Sequence, residues 1–145
     1  MSIASITTDI NIGPFKIPAN GQNMIMNNYA QRNKLIVELV IPEPYKSNAL
    51  GTVKWLHKDV NFTKIILCSI YQLPQKKKWF DDIVKNFSNV EFHFALEGIR
   101  GKGRFFLNSC LKEVNIFKKT QIIKSEDVKW TDLYKLMRNQ NKILR

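Results

Sequence analysis

The chain has 145 residues, 44% of them hydrophobic and 24% charged. That is one domain's length, with enough apolar residues for a core and no composition typical of a fibrous or disordered chain. Its net charge of +11 is uneven: residues 98–145 hold 12 Lys/Arg against four Asp/Glu, which suits an anionic partner or, equally, a solvated basic surface.

Cys68 and Cys110 lie far apart, with no CxxC pattern, which argues against a disulfide scaffold or a zinc site and fits a reducing compartment. The N-terminus has neither a basic n-region nor an apolar h-region, and no apolar run approaches a membrane span, so the expected location is the cytoplasm.

In chain order, SIASITT (2–8) reads as a short strand, and DINIGPFKIPA (9–19) breaks into a loop at Gly13, Pro14 and Pro18. Asn20 is placed to cap a helix to about Arg32, with Ile25, Tyr29 and Ala30 on one side. KLIVELVI (34–41) reads as a strand stopped by Pro42 and Pro44. Ser47 or Asn48 caps a second helix, whose inward positions Leu50, Val53, Leu56 and Val60 follow the helical period. TKIILCSI (63–70) is the most apolar segment, a central strand buried on both faces and closed by Pro74. Cys68 within it reads as a buried thiol.

A third helix, Lys76 to Phe87, turns Trp79, Phe80, Ile83, Val84 and Phe87 inward. VEFHFA (90–95) is a fourth strand, and LEGIRGKG (96–103) reads as a loop with three glycines. A helix from about Gly103 carries Phe106, Leu107, Cys110, Leu111 and Val114 on one face. A last helix follows Ser125: Glu126 and Asp127 start it, Lys135, Arg138 and Lys142 end it, and Trp130, Leu133, Tyr134 and Met137 form its stripe.

Strand and helix alternating four times predict an α/β fold of three layers, α/β/α. Its sheet has four to five mostly parallel strands in order about 2-1-3-4, a flavodoxin-like winding, plus a C-terminal helix. A fifth strand is expected at an edge near TQIIK (120–124). The expected organisation is an α/β domain over 1–117 and a basic extension over 118–145. The extension's amphipathic helix packs on the same domain or on a second copy, so a homodimer is one expected state.

In such sheets ligands bind outside the carboxyl ends of the strands. That rule selects Thr7 and Thr8 after the first strand, Gln22 and Asn23 at the first helix, and Ser69, Tyr71 and Gln72 after the third strand. It also selects Glu97 with Arg100, Lys102 and Arg104 after the fourth. Glu97 suits a general base or a carboxylate that orients a ligand, and the three cations suit an anion. Each has a plainer reading: β-branched strand residues, polar helix starts, and an ion pair between Glu97 and Arg100 or Arg104. His93, mid-strand, reads as a hydrogen-bonded core histidine, His57 as surface, and Lys76-Lys77-Lys78 as a solvated helix start. No Walker spacing, GxGxxG, HExxH or Ser/His/Asp series is present, so no cofactor or metal is expected.

Three ordered segments, IPANGQNMIMNNYAQRN, CSIYQLP and FHFALEG, together resemble the sporadic carbohydrate cluster proteins. The resemblance runs through Pro18, Gln22, Asn23 and Tyr29, then Ser69, Tyr71, Gln72, Leu73 and Pro74, then His93, Phe94, Ala95 and Glu97. Thr7 and Thr8 stand where that family tends to have serines. More distantly, the element order and LEGIRGKGRFFLNSCLKEV resemble the catalytic domain of serine recombinases, a resolvase-like fold. Those enzymes need a serine nucleophile and several arginines around a phosphate. Here SIYQLPQKKK stands where the arginine-bearing turn would be.

The first resemblance implies a role in building surface polysaccharide or lipopolysaccharide. The main expectation is therefore a small enzyme that binds a nucleotide-sugar or sugar phosphate. In it, Glu97 and Thr8 are catalytic, and Thr7, Gln22, Asn23, Ser69, Tyr71, Gln72, His93, Arg100, Lys102 and Arg104 bind substrate. The alternatives are a non-catalytic accessory protein of that pathway and a resolvase-like nucleic-acid binder. The few exposed aromatics expected in the basic tail argue against the last for single strands.

Overall fold

A computed structural model of the chain describes residues 2–9, 11–13, 16–43 and 50–127, with side chains to residue 120. The elements are β1 (Ser2–Thr8), α1 (Ala19–Arg32), β2 (Leu39–Glu43), α2 (Gly51–Val60), β3 (Phe62–Leu67), α3 (Lys77–Asn86), β4 (Glu91–Phe94), β5 (Ile99–Gly101) and α4 (Arg104–Asp127). A single 3-10 turn, Ile70–Gln72, follows β3. Residues 1–111 form one compact unit and residues 112–145 another. In the second, Val114 of α4 is buried and Ile116 is exposed.

The sheet order is β2-β1-β3-β4-β5. The β1–β2, β1–β3 and β3–β4 pairings are parallel, and β4–β5 is antiparallel. The first four strands thus take the expected order, but the fifth is not the one expected. TQIIK lies inside α4, and the edge strand comes from the glycine loop. Gly98, at φ +66°, closes the hairpin, its N–H donating to the Phe94 carbonyl at 2.8 Å, a backbone turn glycine adopts without strain. At Gly101 any Cβ would stand 2.6 Å from the Phe106 ring, so glycine lets α4 start directly against β5.

β2 begins and ends later than its apolar run suggests, at Leu39–Glu43 instead of 34–41, and includes Pro42. It is an edge strand, where a missing N–H on the outer side costs no ladder bond. Pro14, Pro44, Ser47, Asn48 and the stripe Trp130 to Met137 lie outside the described residues. Leu50, at φ 54°, occupies the position before α2.

The layering follows from β4. His93 meets Tyr29 of α1, whereas its neighbour Phe92 meets Phe87 at the end of α3. Adjacent strand residues point to opposite faces, so α1 and α3 cover opposite faces of the sheet. The α1 face buries Ile3, Ile66, Cys68 and Ala95 against Met26, Tyr29 and Ala30. On the other face Phe92 stacks beside Phe94, which meets Phe106 of α4. Trp79, expected inward, is 36% exposed, because α3 already fills its apolar face with Phe80, Ile83 and Val84. His57, expected at the surface, is half-buried: its Nδ1 accepts the Phe62 N–H at 3.0 Å, and its ring lies beside Phe62 and Phe87. Burial lowers its pKa.

Candidate functional site

The carboxyl ends of β1 and β3 and the β4–β5 hairpin bring together most of the selected polar residues. Thr7, Thr8, Gln22, Ser69 and Gln72 are all buried. Gln22 of α1 clasps the last residue of β1 in both directions: the Thr8 N–H donates to its Oε1, and its Nε2 donates to the Thr8 carbonyl, each at 2.8 Å. The same Nε2 donates to the Ile17 carbonyl at 2.8 Å. The amide's donors and acceptor are therefore turned to the main chain. Asn23 follows in α1, half-buried.

Gln72 plays the matching part after β3. Its Oε1 accepts the Cys68 N–H at 2.7 Å and the Ser69 N–H at 3.3 Å, and its Nε2 donates to the Ile6 carbonyl at 3.3 Å. Ser69 and Gln72 form a capping box around the 3-10 turn, a reciprocal satisfaction of backbone donors that would otherwise be orphaned. The Tyr71 ring packs on Gly13, whose virtual Cβ lies 3.2 Å from it.

Glu97 occupies the hairpin turn and reaches back to that capping box. Its Oε2 accepts the Ser69 hydroxyl at 2.9 Å and its Oε1 accepts the Ile70 N–H at 2.6 Å. A carboxylate accepting at both oxygens is a strong latch, here between the end of β3 and the β4–β5 turn. Burial, then the charge of Glu97, pushes the Cys68 thiol up to about 11, so Cys68 stays protonated and inert.

His93 belongs to a different array, on the α1 face. Its Nδ1 lies 2.7 Å from the Tyr29 hydroxyl. Its Nε2 approaches Glu91 Oε1 at 2.6 Å, without the alignment of a directed hydrogen bond. A neutral ring protonated at Nε2 fits both neighbours. Burial lowers the His93 pKa against the pull of Glu91. Burial would raise Glu91, but His93, Lys64 and Arg100 together hold it below the usual carboxylate range. Burial likewise raises Tyr29.

The three cations do not converge on Glu97. Arg100 pairs in register with His93, which sets it on the α1 face, where its charge acts on Tyr29, Glu91 and His93. Arg104 is bonded to Asp81 Oδ1 at 2.8 Å. Lys102 is exposed between them. Among the described residues no group of His, Cys, Asp and Glu is arranged to hold a metal.

Two residues escaped sequence reading. Glu43 is buried and its Oε1 accepts the Val53 N–H at 2.9 Å, capping α2 from the end of β2. Placing β2 too early had put Glu43 in a loop. Glu91 was hidden as an ordinary strand residue; its spacing of two from His93, on one strand face, was the available signal.

No protein-family model matches the chain, and no curated protein does. Solved structures do. The chain is similar to the N-terminal catalytic domain of TP901-1 integrase, with a TM-score of 0.58 and 16% identity, over 83% of this chain and 98% of that one. A resolvase family site-specific recombinase from Streptococcus pneumoniae aligns at TM-score 0.48 and 12% identity, over 86% and 93%. The fold is thus a mixed α/β one like that of the integrase catalytic domain, and the expected distant likeness to serine recombinases holds at that level.

This corrects the expectation of a surface-polysaccharide protein with a sugar partner, and with it the argument against nucleic acid. The likeness found lies with an integrase catalytic domain, and nothing found supports the carbohydrate cluster family. The physical reason is visible in the motifs. Gln22, Ser69, Gln72, His93 and Glu97 each bond to other parts of this chain, so an architectural role is enough to explain why these motifs are present.

Proposed function

We propose that this chain is a DNA-associated domain of the resolvase-like fold, and that its strand-end residues hold the fold together without performing strand transfer. The fold likeness to the integrase catalytic domain, over nearly all of that domain, carries the first part. The net charge of +11 agrees with it, because Lys and Arg neutralise phosphates and release counterions.

The site geometry supports the second part. Phosphoryl transfer on DNA needs a presented nucleophile and cations around the phosphate. Here the hydroxyl-bearing Thr7 and Thr8 are buried, and the Thr8 main chain is clasped by Gln22. The carboxylate of Glu97 faces the Ser69 hydroxyl, where its charge would repel a phosphodiester. Thr8, Gln22, Ser69, Gln72 and Glu97 are, in this reading, positioning residues. The reading places the chain in the cytoplasm; among the described residues no helix is long and apolar enough to cross a membrane.

A gel-shift series with duplex DNA tests the proposal. Retention at low salt, with log affinity falling linearly in log salt, is expected; no retention at low salt overturns it. Supercoiled plasmid should stay uncut, and nicking that Thr8→Ala abolishes would overturn the non-catalytic half.

A further inference from the structure

A groove of about 490 Å³ lies between α2 and α3, lined by Lys54, Lys78, Trp79, Asp81, Asp82 and Lys85. It lies apart from the Gln22, Gln72 and Glu97 bonds at the strand ends, and of the bonds described there only Arg104–Asp81 reaches it. Its two carboxylates are already matched: Asp82 is bonded to Lys54 and Asp81 to Arg104. The Lys54 bond, with the Lys54 charge, the Asn86 bond and the Lys85 charge, holds Asp82 below the usual carboxylate range against the opposing effect of burial. Lys77 and Lys78, by contrast, have no ion-pair partner among the described residues. The groove and its rim therefore carry a positive surplus.

Trp79 is the second feature. It is 36% exposed although α3 has a well-filled apolar face. The ammonium of Lys76 stands 4.5 Å from the centre of its ring. An indole held at a groove wall with lysines before and after it combines the two things an unpaired nucleotide needs, a stacking surface for the base and cations for the phosphates. Duplex DNA offers phosphates but keeps its base faces stacked inside, so the indole favours a single strand.

We infer that the α2–α3 groove is a binding site for a single-stranded nucleic acid segment, with a base stacked on Trp79 and its flanking phosphates at Lys76, Lys78 and Lys85. This rests on the DNA reading above and adds where an unpaired strand is held. An acidic peptide would answer to the lysines but would have little use for the indole.

The test uses the full chain and fluorescence anisotropy with labelled oligothymidylate, the matching duplex and polyglutamate. Trp79→Ala should weaken oligothymidylate about tenfold or more, with Trp79→Phe recovering part of the loss, while duplex retention changes little. Trp55, 66% exposed but outside the groove lining, is the control, and Trp55→Ala should bind like the parent. Lys78→Glu with Lys85→Glu is a second, independent lesion on an exposed helix face and should weaken oligothymidylate strongly.

If the parent binds duplex but these variants bind oligothymidylate like the parent, the groove inference fails and the DNA reading stands. The same holds if polyglutamate binds as tightly as oligothymidylate. If the parent binds neither nucleic acid, both fail.

Discussion

The polar residues at the carboxyl edge of the sheet and those between α2 and α3 are built in opposite ways. At the sheet edge, Gln22, Ser69 and Gln72 are buried, and they and Glu97 bond to the main chain or to one another at 2.6–3.3 Å. Between α2 and α3, Trp79 and the lysines of the rim are exposed or half-exposed. Buried polar groups must be satisfied from within the chain, or they cost stability. Exposed cations are satisfied by water and remain available to a partner. In this protein the polar side chains at the location that fold rules nominate for a ligand bond to the chain itself, and exposed lysines beside an indole lie elsewhere.

That contrast predicts a ranking of stability effects, read by urea denaturation. Gln22→Ala should be the most damaging, at about 3 kcal/mol or more, because it empties a buried site and leaves three main-chain groups without their partner. Glu97→Ala should follow at about 2–3 kcal/mol, through loss of two charge-assisted bonds, with Glu97→Gln losing less because an amide oxygen can still accept the Ile70 N–H. If either substitution leaves the midpoint unchanged, the strand-end network is not structural and the comparison collapses.

Acid should act through the histidines. The folded-state pKa of His93 lies below its ordinary value, so the unfolded chain takes up the proton first. Stability from this group is complete above about pH 6.5 and is lost as pH falls below that toward the folded value. The charged and titratable groups facing it are Tyr29 from α1, Glu91 on its own strand, Lys64 from β3 and Arg100 from β5. His57 contributes a slope of the same sign. Since the chain has two histidines, His93→Gln should flatten the dependence between about pH 6.5 and the carboxylate range in part, and a double variant with His57→Gln should flatten it further there, leaving the slope that Glu91 and Asp82 give at lower pH. An unchanged slope in the double variant would show that burial of these rings does not govern it.

The smallest expected effect separates the two regions most cleanly. Lys78→Ala should alter stability by no more than about 0.5 kcal/mol, as surface changes usually do. Removing the exposed Lys54–Asp82 pair by Lys54→Ala should cost under about 1 kcal/mol. A large loss from Lys78→Ala would mean that the groove, too, is structural.

Local chemistry in the sequence was enough for the alternation of strands and helices, the 2-1-3-4 order, the burial of Cys68 and the reading of His93 as a bonded core histidine. Those rest on short-range periodicity and on connection rules that hold for any chain of this pattern. The identities Gln22, Gln72 and Glu97 were also picked out, because position at a strand end can be read from the pattern. Their roles could not be: whether an amide faces a ligand or the Thr8 main chain depends on residues 14 positions away, and Glu97 meets Ser69 across 28.

Edge features were lost for a related reason. β5 is three residues long, too short for any period, and exists because β4 offers it an unpaired edge. Pro42 could enter β2 only because that strand has one neighbour. Trp79 looked inward by its spacing, but the face available to α3 was already filled. Sequence periodicity says which residues can be buried; only the packed fold decides which of them find room, and which polar groups are left for a partner.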